Sequence, residues 1–155
     1  EYMEQLLKQS VHRVLAQSYL SYFILCLLGL FLGLFVPMRF SVPHAWLFSI
    51  ICFGVGPALI IWAQLTSRTF EVVKEQTGQA QFNRGPYRYL RNPTQLGLVI
   101  LVAGYAFASG TAILFVTAGV AYLISNIFFR KHELILENRY GDPYKAYKTS
   151  VPKIM

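Results

Sequence analysis

Long apolar runs, interrupted at only a few places by charge, dominate the chain. Tyr19 to Val36 is 18 residues without a charge and Trp46 to Leu65 is another 20, each close to the ~20 residues a helix needs to cross ~30 Å of hydrocarbon. A third uncharged run, Asn92 to Phe129, holds 38 residues; as one helix at ~1.5 Å per residue it would reach roughly 57 Å, far more than one bilayer. It must therefore fold back. Ser109-Gly110-Thr111 is the natural break, because small residues and glycine permit a tight turn. The pattern predicts an all-α, polytopic integral membrane protein with about four transmembrane helices, at 19–36, 46–65, 93–108 and 111–130, the last two forming a helical hairpin. No repeat or linker divides residues 1–155, which read as a single domain. The first run exceeds the 7 to 15 residues of a signal-peptide core and lacks a plain small-x-small cleavage site, so it reads as a span.

Composition agrees: 55% of the 155 residues are hydrophobic and 14% charged, with a formal net charge of +7. Those charges fall only within 1–13, at Arg39, within 68–91 and within 130–153. Four passes put both termini and the 66–92 loop on one side. That side carries nearly all the basic residues, whereas the other has only Arg39, so the positive-inside rule predicts cytoplasmic termini and a cytoplasmic loop. Before the first span, Met3, Leu6, Leu7, Val14 and Leu15 recur near helical spacing among Glu4, Lys8 and Arg13. An amphipathic interfacial helix and a simple extension of the first span both fit that spacing. Cys26 and Cys52 sit in apolar runs and read as small buried hydrophobes. The basic excess flanks spans and forms no stripe in a folded module, which points to anionic membrane lipids as the partner and away from nucleic acid.

Chemistry concentrates in two segments on the basic side. The loop from Gln79 to Pro93 is both aromatic and cationic. Gly85-Pro86 imposes a turn, and Asn92-Pro93 reads as an N-cap followed by proline at the first helical position. A helix N-terminus with Arg91 beside it suits a carboxylate or phosphate. At the other segment the fourth span continues out of the bilayer through Arg130, His132, Glu133 and Glu137, until Gly141-Asp142-Pro143 ends it. Arg130 and Glu133 are three apart and Glu133 and Glu137 four apart, which places them on one side of the helix. His132 has no spaced second ligand and makes no metal site.

The order of Gly85-Pro86-Tyr87-Arg88-Tyr89-Leu90-Arg91-Asn92-Pro93-Thr94-Gln95-Leu96-Gly97, an apolar hairpin, then Glu133, Leu136, Tyr140-Gly141-Asp142-Pro143-Tyr144, Tyr147 and Val151-Pro152 resembles the isoprenylcysteine carboxyl methyltransferase family and the wider group of membrane phospholipid methyltransferases. The resemblance implies a cytosolic pocket for the methyl donor S-adenosyl-L-methionine and a lipophilic acceptor drawn from the bilayer, the carboxylate of a prenylcysteine-like molecule or similar. It places Gln79, Ala80, Gln81, Phe82 and Tyr87 along the donor pocket, and Asn92, Pro93, Thr94 and Gln95 at the family's cofactor-binding His-Pro-x-Tyr motif, with Asn92 for the usual histidine and Gln95 for the usual tyrosine. His132-Glu133 keeps the second of the family's two adjacent glutamates, and Arg130 stands near its substrate arginine.

The side-chain chemistry points the same way. The donor carries a carboxylate, an ammonium, a sulfonium and an adenine. Arg91 and the third helix start suit the carboxylate, Glu133 the ammonium, and Phe82, Tyr87 and Tyr89 the ring. Methyl transfer needs mainly orientation and exclusion of water. Arg130 is the candidate to fix a carboxylate acceptor, and Glu133 or His132 to take a proton from an amine. The rival expectations are a phospholipid amine or small thiol as acceptor, a non-catalytic module binding lipid headgroups or a partner, and a sterol-reductase-like NADPH enzyme. A soluble methyltransferase fold is excluded, because the chain has no G-x-G-x-x-G and no alternating strand pattern.

Overall fold

A computed structural model describes residues 11–36, 38–39, 41–72 and 83–151. Within them the chain forms α1 (Val11–Phe35), α2 (Ala45–Val72), a single 3-10 turn (Gly85–Arg88), α3 (Pro93–Ser109), α4 (Ala112–Tyr140) and α5 (Asp142–Ser150). Helices α1, α2 and α4 each contain a stretch long and apolar enough to cross a membrane, and α3 is a shorter apolar helix. The four expected helices are all present, with different ends. α1 begins at Val11, ahead of Tyr19, and α2 runs on to Val72, past Leu65. A charge limits what can enter hydrocarbon but does not interrupt backbone hydrogen bonding, so the helices outrun their uncharged cores. Residues 11–18 thus extend the first span; residues 1–10 of the expected amphipathic segment lie outside the described residues.

Helix α2 also runs through Pro57. That proline forgoes one backbone hydrogen bond, a loss that membrane helices accommodate through their neighbours. Its neighbour Gly56 makes the close approach to α3: a Cβ on Gly97 would lie 2.8 Å from the Gly56 carbonyl oxygen. The two backbones therefore meet almost without side chains between them, as small residues allow between spanning helices. Nearer the far end of the same seam, the Ser49 hydroxyl donates to the Gly104 carbonyl at 3.2 Å.

The α3–α4 hairpin turns where its small residues predicted. Gly110 closes α3 in the left-handed conformation (φ 60°), its N–H bonded to the Ala106 carbonyl at 3.0 Å. Thr111 N–H is taken by the Ser109 hydroxyl at 3.1 Å, and the Ala112 N–H donates to the Met38 carbonyl at 2.9 Å. The α1–α2 connection and the α3–α4 turn consequently share one end of the bundle. The 3-10 turn, the head of α3, the tail of α4 and α5 lie at the other.

Burial along the bundle is inverted relative to a soluble protein. Leu20, Phe23, Ile24, Ile50, Ile51 and Leu123 point outward, whereas Ser18, Tyr22, Ser49, Gln95, Thr117 and Ser125 are buried. Only 11% of the residues in the apolar window of α2 are buried inside the protein, far too few for the core helix of a soluble fold and in keeping with an outer face turned to lipid. Cys26 and Cys52 are free and half-buried.

Candidate active site

Helix α4 is 29 residues long, or about 43 Å at 1.5 Å per residue, so its last turns stand clear of a ~30 Å hydrocarbon core. Gly141 ends it at φ 61°, with its N–H on the Glu137 carbonyl at 2.9 Å. This reversal lets α5 fold back on the protruding segment. Asp142-Pro143 starts α5, and Tyr144 and Tyr147, three apart and so on one face, are buried with Val151 against Tyr87, Leu136 and Tyr140. The Tyr147 hydroxyl donates to the Tyr87 carbonyl at 2.6 Å, which ties α5 to the 3-10 turn.

Beneath this aromatic layer lies an ion-pair centre. Arg91, just ahead of α3, donates from Nη1 to Glu133 Oε1 at 3.0 Å and from Nε to the Val151 carbonyl at 2.7 Å. Lys148 of α5 reaches the other Glu133 oxygen at 3.4 Å and Glu137 at 3.3 Å. The Arg91 and Glu133 side chains are only 13% and 12% exposed, so the pair is desolvated and each charge depends on its partner. Lys148, at 36%, faces water. One residue on from Arg91, Asn92 occupies the N-cap position of α3, but its side chain makes no capping bond. Among the described residues its buried Nδ2 has no hydrogen-bond partner. Proline at the first helical position fixes where α3 starts without help from that amide, which leaves the amide for other work. Pro93 and Thr94 are buried behind it.

Not every expected residue joins this centre. Tyr87 turns into the bundle, its hydroxyl 3.5 Å from the Ala63 carbonyl; burial first of all, against relief from hydrogen bonding to Thr94, pushes its phenol up to about 12. Burial likewise raises the phenols of Tyr144 and Tyr147. Tyr89 is 61% exposed, with Arg88 over its ring, and so is not a wall of the pocket. Arg130 is exposed on α4, whereas Glu133 is buried, and no ion pair links Arg130 to the centre among the described residues. His132 is half-buried. Gln79, Ala80, Gln81 and Phe82 lie outside the described residues. Gln95 sits one turn beyond Asn92, inside the bundle, where its Oε1 accepts from the Tyr22 hydroxyl at 2.8 Å. Sequence reasoning missed the roles of Lys148 and the Val151 carbonyl. The one available signal was the Tyr144–Tyr147 face of α5, which sets where Lys148 and Val151 fall.

With this geometry in place, comparison with known families is informative. Residues 45–143 match the family model for phospholipid methyltransferases. That match covers well over half of the chain and takes in the 3-10 turn, the head of α3, the hairpin and Glu133. The chain belongs to the phospholipid methyltransferase family, which includes the isoprenylcysteine-type membrane enzymes that the sequence resembles, and by that membership it is a membrane methyltransferase. Neither the curated proteins nor the solved structures give a match.

Proposed function

We propose that this chain transfers a methyl group from S-adenosyl-L-methionine to a lipophilic acceptor held in the membrane, with the ion-pair end of the bundle and both termini facing the cytosol. The observation that carries the reading is the desolvated Arg91–Glu133 pair at the head of α3. The amino-acid end of the donor is itself an ammonium beside a carboxylate. It can replace the internal pair partner for partner, carboxylate on Arg91 and ammonium on Glu133, with no change in net buried charge. The unpartnered Asn92 amide supplies a further donor at the same place. These residues fit the amino-acid end, and Tyr144 and Tyr147 form the apolar flank above it.

Bound there, the donor supplies an electrophilic methyl group on sulfur. The protein's share is to hold that end by two opposite charges, to keep water out with the α5 tyrosines, and to leave the acceptor's lone pair in line; an amine acceptor first gives up its proton, for which His132 is the candidate base while Glu133 holds the donor. The family match favours a phospholipid amine as acceptor over a small soluble one. So do the apolar outer faces of α1 and α2, which a lipid tail can follow into the bundle. Incubating the purified protein in phosphatidylethanolamine vesicles with methyl-labelled donor should put label on the lipid, and Glu133→Gln should remove it. Label absent from the lipid with the wild type would count against the reading.

A further inference from the structure

Gln95 is the largest fully buried side chain that the bundle contains among the described residues, at 0% exposure. Its oxygen is used by Tyr22, but among the described residues its Nε2 has no hydrogen-bond partner. A buried N–H left without an acceptor costs about 1–3 kcal/mol, and hydrocarbon offers no water to relieve it. Such a donor, held in place by a second helix, is one that an oxygen of a ligand can satisfy.

The surroundings say which kind of oxygen. Gln95 follows Asn92 by three residues, about 4.5 Å along the helix axis, and so lies on the bundle side of the Arg91–Glu133 centre. Its neighbours Tyr22, Val102, Ala121, Leu98 and Val99 bear no charge. An anion placed there would lack a counter-charge, whereas a neutral carbonyl needs only the N–H. In a diacyl glycerolipid the ester carbonyls lie just inside the charged headgroup, in the same order along the membrane normal. Among the described residues α2 packs broadly on α3, and α4 on both α1 and α3, whereas α1 and α3 meet only narrowly, with Tyr22 between them, so the α1–α3 seam is the one a lipid would part at least cost.

We propose that the Gln95 amide, oriented by Tyr22, donates a hydrogen bond to an ester carbonyl of a glycerolipid acceptor that enters through the α1–α3 seam. This rests on the reading that the acceptor is a membrane lipid, and it assigns Gln95 to the acceptor and not to the methyl donor. The test compares binding of dioleoyl phosphatidylethanolamine with binding of its diether analogue, which lacks both carbonyls, to the full chain in detergent by native mass spectrometry. Wild type should hold the diester up to about tenfold more tightly, the worth of one neutral hydrogen bond, and Gln95→Leu should bring the ratio to about one while donor affinity stays within twofold. Because Gln95→Leu strips the Tyr22 hydroxyl of its main acceptor, the double variant Tyr22→Phe/Gln95→Leu, which removes both polar groups, is measured beside it. Equal binding of the two lipids by wild type, or a preference that survives in both variants, overturns the proposal, as does a parallel loss of donor affinity. A wild type that prefers the diester but binds no donor sinks the methyltransferase reading and leaves the carbonyl site standing.

Discussion

Glu133 has both oxygens engaged, one by Arg91 and one by Lys148, and the two contacts differ in weight because only the first is out of water. Glu133→Gln leaves the Arg91 cation buried without its counter-charge and should lower stability by about 3 kcal/mol, read as a drop in thermal midpoint in detergent. Lys148→Ala should cost less than about 1 kcal/mol, since solvent screens that pair. The same variant should raise affinity for the methyl donor by up to about fivefold, because Lys148 competes with the donor's ammonium for Glu133; a titration showing weaker binding would argue for Lys148 as a donor contact instead. Tyr87 gives a pH signature. Its phenol rises from an ordinary value near 10 to about 12 on burial, so the fold favours the protonated form. That contribution is complete below pH 10 and is lost as pH climbs from about 10 through 12. Thermal midpoints should fall across that window, and fall less for Tyr87→Phe, which has no proton there to lose. Arg91 and Glu133 were legible as a pair of complementary charges because helix starts and helix exits have their own sequence marks. Lys148 was not, since its partner is set by the reversal at Gly141, a tertiary event without a local period.

Among the elements, the hairpin was the most legible, because a 38-residue apolar run has to turn and Ser109-Gly110-Thr111 sets a glycine between small polar residues near its middle. Gly110→Ala forces a Cβ into φ 60° and should cost about 1–2 kcal/mol, measurable as a lowered midpoint with an unchanged helical spectrum. Element ends were less legible, as α1 and α2 show, since hydropathy reports the membrane boundary and not the end of the helix. Packing partners were hidden altogether: nothing local in the sequence announces that Gly97 faces the Gly56 carbonyl. Gly97→Val should push α3 from α2 and cost about 1–3 kcal/mol, with the loss of midpoint larger than for the same change at Gly119, where a Cβ meets nothing within 4 Å. Equal effects at the two positions would show that the α2–α3 contact is looser than described.

At the scale of the whole molecule, one bundle end gathers the 3-10 turn, the α3 head, the α4 tail and α5, while apolar faces cover the remainder. This division was legible from charge placement alone, because spans exclude charge. What charge placement did not reveal is that the centre is neutralised from within, by Arg91 and Glu133 on each other, so that a ligand enters by exchange of partners. The account stands on that exchange, and calorimetric titration of the detergent-solubilised chain with S-adenosyl-L-methionine tests it most directly. Wild type should show one saturable site, and Glu133→Gln, confirmed as helical by circular dichroism, should bind about 10- to 100-fold more weakly, the loss expected for one charge-assisted hydrogen bond. No heat of binding with wild type, or equal affinity in the two proteins, would contradict it.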